Sequence, residues 1–249
     1  MIEAQVQSTA DGAIIHDRAL GVVPDARWFD RSHWNEVAGA PSAGRGHAAF
    51  IETPVGECVL RHYHRGGLVA RLSRDRYLWT GAARTRAFRE FRLLARLVGA
   101  GLPVPRPVAA RYVRDGLGYR ADLLTRRIAG THTLAERFAA GAWAPPLAKE
   151  VGVAIAALHD AHVWHADLNA HNVLVDDAGK VWLIDFDRGR VRKPNRTWQE
   201  GNLARLRRSF DKLGAGRVAD FDTRFWHPLM GAWHEAMARS GSSAQGAWS

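Results

Sequence analysis

A chain of 249 residues that is 47% hydrophobic and 24% charged can build one large core or two smaller ones, and it is too apolar for a disordered segment. Its single cysteine, Cys58, excludes an intrachain disulfide, and no stretch approaches the ~18 apolar residues of a membrane-spanning helix. The formal charge of +10 is uneven: residues 61–97 hold ten Arg against Asp75 and Glu90, residues 188–212 hold nine Lys or Arg against Glu200 and Asp211, and the remainder is net acidic. Two basic patches on an acidic body imply a polyanionic partner, whether a phosphorylated substrate, an anionic membrane face or nucleic acid. The first residues carry no basic region followed by an apolar stretch, so no secretory signal and a cytoplasmic location are expected.

Taken in chain order, residues 1–40 read as a strand near 13–16 and a short helix around 31–37, with Trp28, Phe29 and Trp34 expected to pack. Gly44 and Gly46 lie just ahead of an alternating strand, 49–52. Gly-x-Gly between strands lets backbone N–H groups approach a phosphate, and an ordinary turn fits the same residues. A turn at 53–56 leads into a strand over 58–63 that contains Arg61. Residues 65–80 interleave arginines with Leu68, Val69, Leu72, Tyr77, Leu78 and Trp79. That composition suits a segment whose apolar side meets acyl chains while Arg meets phosphates, and RNA binding would use similar residues. Residues 85–98 read as a helix with a stripe of Phe88, Phe91, Ala95 and Val98 widened by Leu94. Glu90 is its only acid among Arg86, Arg89, Arg92 and Arg96. A Pro-rich connection at 101–107 precedes two strands, 108–113 and 121–125, joined by a turn at 115–118. Residues 126–130 read as a connection between two lobes. Helices are expected from Thr133, from Pro145-Pro146 with a buried stripe of Leu147, Val151, Ile155 and Leu158, and near 200–213 and 222–239.

The chemistry is concentrated in residues 165–187, HADLNAHNVLVDDAGKVWLIDFD. Two short apolar runs, NVLV at 172–175 and VWLI at 181–184, flank the turn residues Asp-Asp-Ala-Gly and predict a hairpin. Asn172 at the start of one strand, Asp185 at the end of the other and Asp167 on the preceding loop would then share a rim. Magnesium takes a few hard oxygen ligands together with phosphate oxygens, which suits Asn172 and Asp185. Asp167 suits the carboxylate that orients an attacking hydroxyl and accepts its proton. His, Asp, Asn and Asp-Phe fall in the order of the protein-kinase catalytic loop and its metal-binding Asp. In that pattern a Lys on the third strand contacts the nucleotide phosphates. No Lys precedes Lys149 here, Arg61 occupies the place, and Glu90 is its expected ion-pair partner. Gly44 and Gly46 would be the nucleotide loop. His159, His162, His165 and His171 straddle a helix end and a loop, a poor spacing for zinc.

HADLNAHN and LIDFDRGR, preceded by LRHYHRGGL at 60–68, DRYLWTG at 75–81 and TRAFREFRLL at 85–94, resemble the bacterial 3-deoxy-D-manno-octulosonic acid (Kdo) kinases, in the lipopolysaccharide-kinase branch of the protein-kinase-like fold. The resemblance runs from about residue 44 to 210. It implies a two-lobed α+β fold: a nucleotide-binding lobe over 1–127 with an antiparallel sheet and one helix, and a mainly helical catalytic and substrate lobe over 128–249. ATP and Mg²⁺ are the implied cofactors, at a site between lobes, with His165 holding the catalytic loop. The implied acceptor is the 4-hydroxyl of Kdo on Kdo-lipid IVA, at the cytoplasmic face of the bacterial inner membrane, to which the chain would bind peripherally. No protein partner follows, and nucleic acid is disfavoured. One rival is a kinase of a small cationic alcohol such as an aminoglycoside or choline, which would want an acidic cleft. Another is an inactive kinase-like module that binds RNA or membrane.

Overall fold

The strands of the first part of the chain assemble into an antiparallel sheet. The computed structural model describes residues 1–34, 48–64 and 75–245. The strands are β1 (Ala4–Ser8), β2 (Gly12–Asp17), β3 (Ala48–Thr53), β4 (Gly56–His62), β5 (Tyr77–Leu78), β6 (Pro107–Asp115) and β7 (Gly118–Arg126). They run in the order β1-β2-β6-β7-β4-β3, with β5 added against β7. Alternation decides which side chains go in: Ala49, Ile51 and Thr53 of β3 and Cys58 and Leu60 of β4 are buried. Ala49, Ile51, Cys58 and Leu60 form a core with Ile14, Trp28, Phe29 and Leu124, and Trp34 packs against it. The Cys58 thiol lies wholly inside, 3.5 Å from the Thr53 hydroxyl, and burial raises its pKa.

The helix α1 (Arg86–Gly99) adds Phe88, Phe91, Leu94 and Leu97 to the same unit. The expected stripe is slightly out of phase, because Leu97 is fully buried while Ala95 and Val98 sit at the stripe's edges. Strand β1 carries no sequence signal because AQVQS buries neither face and is recruited only by pairing with β2. The helix expected around 31–37 is a single 3-10 turn, Arg31–His33, within the described residues.

Two compact units result, one of Met1–Gly99 with Pro105–Arg127 and one of Ala100–Val104 with Ile128–Ser249. Residues 100–104, expected in the first unit, pack with the second, where the Leu183 N–H donates to the Pro103 carbonyl at 3.0 Å.

The second unit holds β8 (Thr131–Thr133), α2 (Leu134–Ala139), α3 (Pro145–Asp160), β9 (Val163–Trp164), β10 (Val173–Asp176), β11 (Val181–Leu183), β12 (Arg190–Val191), α4 (Arg196–Lys212) and α5 (His227–Gln245). Helix α2 starts at a capping box: the Glu136 N–H donates to the Thr133 hydroxyl while the Thr133 N–H donates to the Glu136 carboxylate. Helix α3 opens on Pro145-Pro146, whose absent N–H groups cost nothing in a first turn. It buries Val151, Ile155 and Leu158. At Gly152 the backbone of α5 comes so close that an added Cβ would stand 2.3 Å from the Leu229 carbonyl oxygen. Helix α4 begins at Arg196, ahead of the expected start, because Asn195 caps it through the Thr197 N–H at 2.7 Å. The expected beginning of the last helix is a π-helical turn, Asp222–Trp226, after which α5 continues. Phe138, Phe210, Phe221 and Phe225 close this end of the unit with ring centroids 5.1–5.5 Å apart.

Candidate active site

In the second unit the loop from His165 to Asn172 is held on three sides. The imidazole of His165 is fully buried, and its two nitrogens have fixed roles. Nδ1 accepts the Asp167 N–H at 3.1 Å, and the acceptor-only Ile184 carbonyl takes a hydrogen from Nε2 at 2.9 Å. Only the neutral ring with its hydrogen on Nε2 satisfies both. Burial lowers the pKa and keeps the ring in that form. One side chain thus pins Asp167 to the residue preceding Asp185. The Asn172 Nδ2 donates to the Asp167 carbonyl at 2.8 Å, and the Ile184 N–H donates to the Asn172 carbonyl at 3.0 Å. Loop and strand end are cross-bonded on both sides of Asn172.

This arrangement leaves oxygen where chemistry needs it. The carboxylate of Asp167 is exposed, and Asn172 and Asp185 are half-buried. Asn172 donates through its amide nitrogen to the Asp167 carbonyl and keeps its amide oxygen as an acceptor, a hard oxygen of the kind that suits magnesium. Asp185 adopts the left-handed region at φ 62°, which Asp tolerates better than most residues and which marks functional turns. Among the described residues no cluster of three or more His, Cys, Asp or Glu side chains has metal-binding geometry. Asn172 and Asp185 offer one amide and one carboxylate oxygen on this rim. Asp187, where protein kinases carry glycine, is half-buried, and Arg188 after it is also left-handed at φ 66°.

Sequence reasoning missed the support beneath this loop. Asn202 of α4 is buried; its Nδ2 donates to the His165 carbonyl at 2.7 Å, and its Oδ1 accepts the His165 N–H at 3.2 Å. The same Oδ1 lies 3.4 Å from His159 Nε2, and the Trp233 indole N–H donates to His159 Nδ1 at 3.0 Å. His159 is thus also a neutral ring, with a pKa lowered to about 4, chiefly by burial. Ser209, two turns further along α4, accepts the Ala170 N–H at 3.0 Å. The spacing Asn202-x₆-Ser209 on one helix was the available signal, but it gains meaning only once α4 is known to lie under the loop.

The expected ion pair lies within the first unit. Arg61 on β4 donates to Glu90 on α1 in a close ion pair, and Glu90 is buried. Tyr63, which sequence reasoning did not single out, donates its hydroxyl to the same carboxylate oxygen at 2.5 Å and lies beneath the Arg61 guanidinium, 4.8 Å from ring centroid to carbon. Strands β4 and β6 are both tied to β7 by Asp122, which accepts from Arg111 Nε at 2.9 Å and from His62 Nδ1 at 2.6 Å. Gly44, Gly46 and most of the basic segment 65–80, through Arg74, lie outside the described residues.

An antiparallel sheet with one helix in the first unit, and a mainly helical second unit presenting Asp167, Asn172 and Asp185 from a His165-anchored loop and hairpin, define a kinase-like phosphotransferase. A model of the lipopolysaccharide kinase (Kdo/WaaP) family matches residues 27–232, and the chain belongs to that family. It is 48% identical over 230 residues to a 3-deoxy-D-manno-octulosonic acid kinase of Xanthomonas campestris pv. campestris (strain B100), covering 92% of each chain. It is 52% identical over 211 residues to the protein of that name from Stenotrophomonas maltophilia (strain R551-3), covering 84% of each. The corresponding protein of Xanthomonas axonopodis pv. citri (strain 306) is 52% identical over 208 residues, 83% of each.

Proposed function

We propose that this chain transfers the γ-phosphoryl group of ATP to the 4-hydroxyl of the Kdo residue of Kdo-lipid IVA during lipopolysaccharide core assembly. The observation that carries the reading is the exposed Asp167 carboxylate on a loop whose backbone is bonded by His165, Asn172 and Asn202. A carboxylate so placed orients the acceptor hydroxyl and takes its proton as the oxygen attacks phosphorus, and the bond from phosphorus to the β-phosphate oxygen breaks. Asn172 and Asp185 would hold Mg²⁺, which supplies charge neutralisation for the polyphosphate. Arg61, fixed by Glu90 and Tyr63, would steady the nucleotide phosphates, and Gly44 and Gly46 would approach them through backbone N–H groups. The names of the relatives support Kdo as the acceptor sugar. The basic run after Asp185, with Arg188, Arg190, Arg192 and Lys193, suits an acceptor that bears phosphates and a carboxylate. A cationic acceptor would find the wrong sign of charge there.

The acceptor is a glycolipid, and one surface of the first unit suits a peripheral hold on an anionic bilayer. No helix among the described residues is long and apolar enough to cross a membrane. Leu117, at the tip of the β6–β7 turn, is 83% exposed, and Leu78 on β5 is 67% exposed. They are neighbours, because Leu78 pairs with Gly118 and the Trp79 N–H donates to the Leu117 carbonyl at 2.9 Å. Arg114 lies over the Trp79 ring at 5.2 Å, and Arg76, Arg84 and Arg120 are exposed nearby, with Asp115 paired to Arg76. Apolar tips ringed by arginine fit acyl chains beneath phosphate headgroups.

The direct test is incubation with ATP, Mg²⁺ and detergent-dispersed Kdo-lipid IVA, with the mass of the product and the position of its new phosphate as the readout. One phosphate on the Kdo 4-hydroxyl is expected. Asp167→Ala should slow turnover by about 10²–10⁴-fold while ATP still binds. Turnover that persists at the parent rate would remove Asp167 from the mechanism.

A further inference from the structure

The second unit carries a cavity of about 630 Å³ that none of the residues discussed above as catalytic lines. It opens at the turn end of the β10–β11 hairpin. Asn172 and Asp185 flank the other end, and four residues of strand separate the two by roughly 10 Å or more. Its volume lies within the range of about 300–1,000 Å³ usual for small-molecule sites.

Three cations from three separate elements converge on it: Arg137 of α2, Lys180 of the hairpin turn and Arg224 of the π-helical turn Asp222–Trp226. The single carboxylate in the lining is Glu150, and none of the three cations forms an ion pair among the described residues. Arg137 donates one Nη2 hydrogen to the Asp176 carbonyl at 3.3 Å, but its Nε–H is buried without an acceptor. A buried donor in that condition is costly. Arg224 is presented by a π-turn, a feature retained mostly where a side chain has to be aimed. Its guanidinium stands 5.6 Å from the centroid of the Trp143 ring. The 16-residue helix α3 also begins at the cavity wall and adds the positive end of its dipole.

The remaining wall is apolar, formed by Trp143, Leu147 and Val175. The hairpin turn below is rigid, since the Asp176 carboxylate accepts from the N–H groups of Ala178 and Lys180 and from the Trp182 indole. Positive groups at the rim and an indole with aliphatic side chains inside do not suit a bare inorganic anion, which would stay hydrated, nor a neutral hydrocarbon. We propose that this cavity binds a small anionic amphiphile, a phosphate monoester or a free carboxylate carried on an apolar body, at a site separate from the phosphoryl-transfer centre.

Isothermal titration of the full chain with octyl phosphate, kept below its micelle-forming concentration, tests this assignment. One molecule is expected to bind per chain, with octyl glucoside and inorganic phosphate each at least roughly tenfold weaker, since each lacks one half of the ligand. Saturating ATP with Mg²⁺ should not displace it. Lys180→Gln combined with Arg224→Gln, two exposed positions whose change leaves packing intact, should weaken binding roughly tenfold. Arg137→Gln should do the same where the variant remains folded by circular dichroism. Equal binding of octyl glucoside, equal binding of inorganic phosphate, displacement by ATP, or unaltered affinity in the double variant would each overturn the assignment. None of these readouts depends on turnover, so they leave the acceptor reading standing or falling by itself.

Discussion

At the scale of single residues, the loop depends on two imidazoles that must stay neutral. His165 has its nitrogens committed to one donor and one acceptor, and His159 accepts the Trp233 indole hydrogen. Protonation of either ring would set two donors against each other. For His159 the folded pKa is about 4 against the ordinary 6.5. Between those values the unfolded chain binds more protons, so stability is full above about pH 6.5 and falls as the pH drops toward 4. The gap corresponds to something on the order of 3 kcal/mol. His62 works in the opposite direction: its hydrogen bond to Asp122 raises its pKa, so its contribution is full in acid and is lost as the pH rises through that value. Urea unfolding at pH 7 and pH 5 should show a lower midpoint in acid, and His159→Gln should shrink that difference. An unchanged difference would mean that other groups carry the acid sensitivity.

At the scale of elements, most strands and helices were legible because their apolar residues repeat at the right period, as in β3, β4, α1 and α3. The failures have identifiable physical causes. Strand β1 is polar on both faces, and α4 begins where a capping side chain, not an apolar stripe, sets the start. Of the candidate site, Asp167, Asn172, Asp185, Arg61 and Glu90 could be proposed because their order and spacing follow the protein-kinase pattern. Asn202, Ser209 and Tyr63 could not, since their roles arise from which helix or ring lies beneath which loop. Gly152 belongs to the same class, because its lack of a side chain matters only where α3 meets α5. Gly152→Ala would drive a methyl into the Leu229 carbonyl and the Trp233 N–H, and it should destabilise the chain by about 1–3 kcal/mol despite the better helix propensity of alanine. Urea denaturation measures this directly, and a neutral or stabilising result would show that the two helices can spread without cost.

At the scale of the whole molecule, the +10 charge is a statement about partners. A basic surface tipped by Leu78 and Leu117 should associate with vesicles containing phosphatidylglycerol and leave those of phosphatidylcholine alone. Leu78→Ser with Leu117→Ser should reduce co-sedimentation about tenfold while turnover of detergent-dispersed acceptor is retained, and added salt should weaken what remains. Binding that ignores both lipid charge and the leucines would place the membrane contact elsewhere.

The short stretch Ala100–Val104 has a topological outcome. The backbone passes from one unit to the other after Gly99, returns after Val104 and leaves again after Arg127. Three crossings mean that no single cleavage yields either half intact: a piece starting at Ile128 would lack the carbonyl of Pro103 that Leu183 bonds. The two halves are therefore stitched rather than strung, and a cut at any one place divides at least one of them.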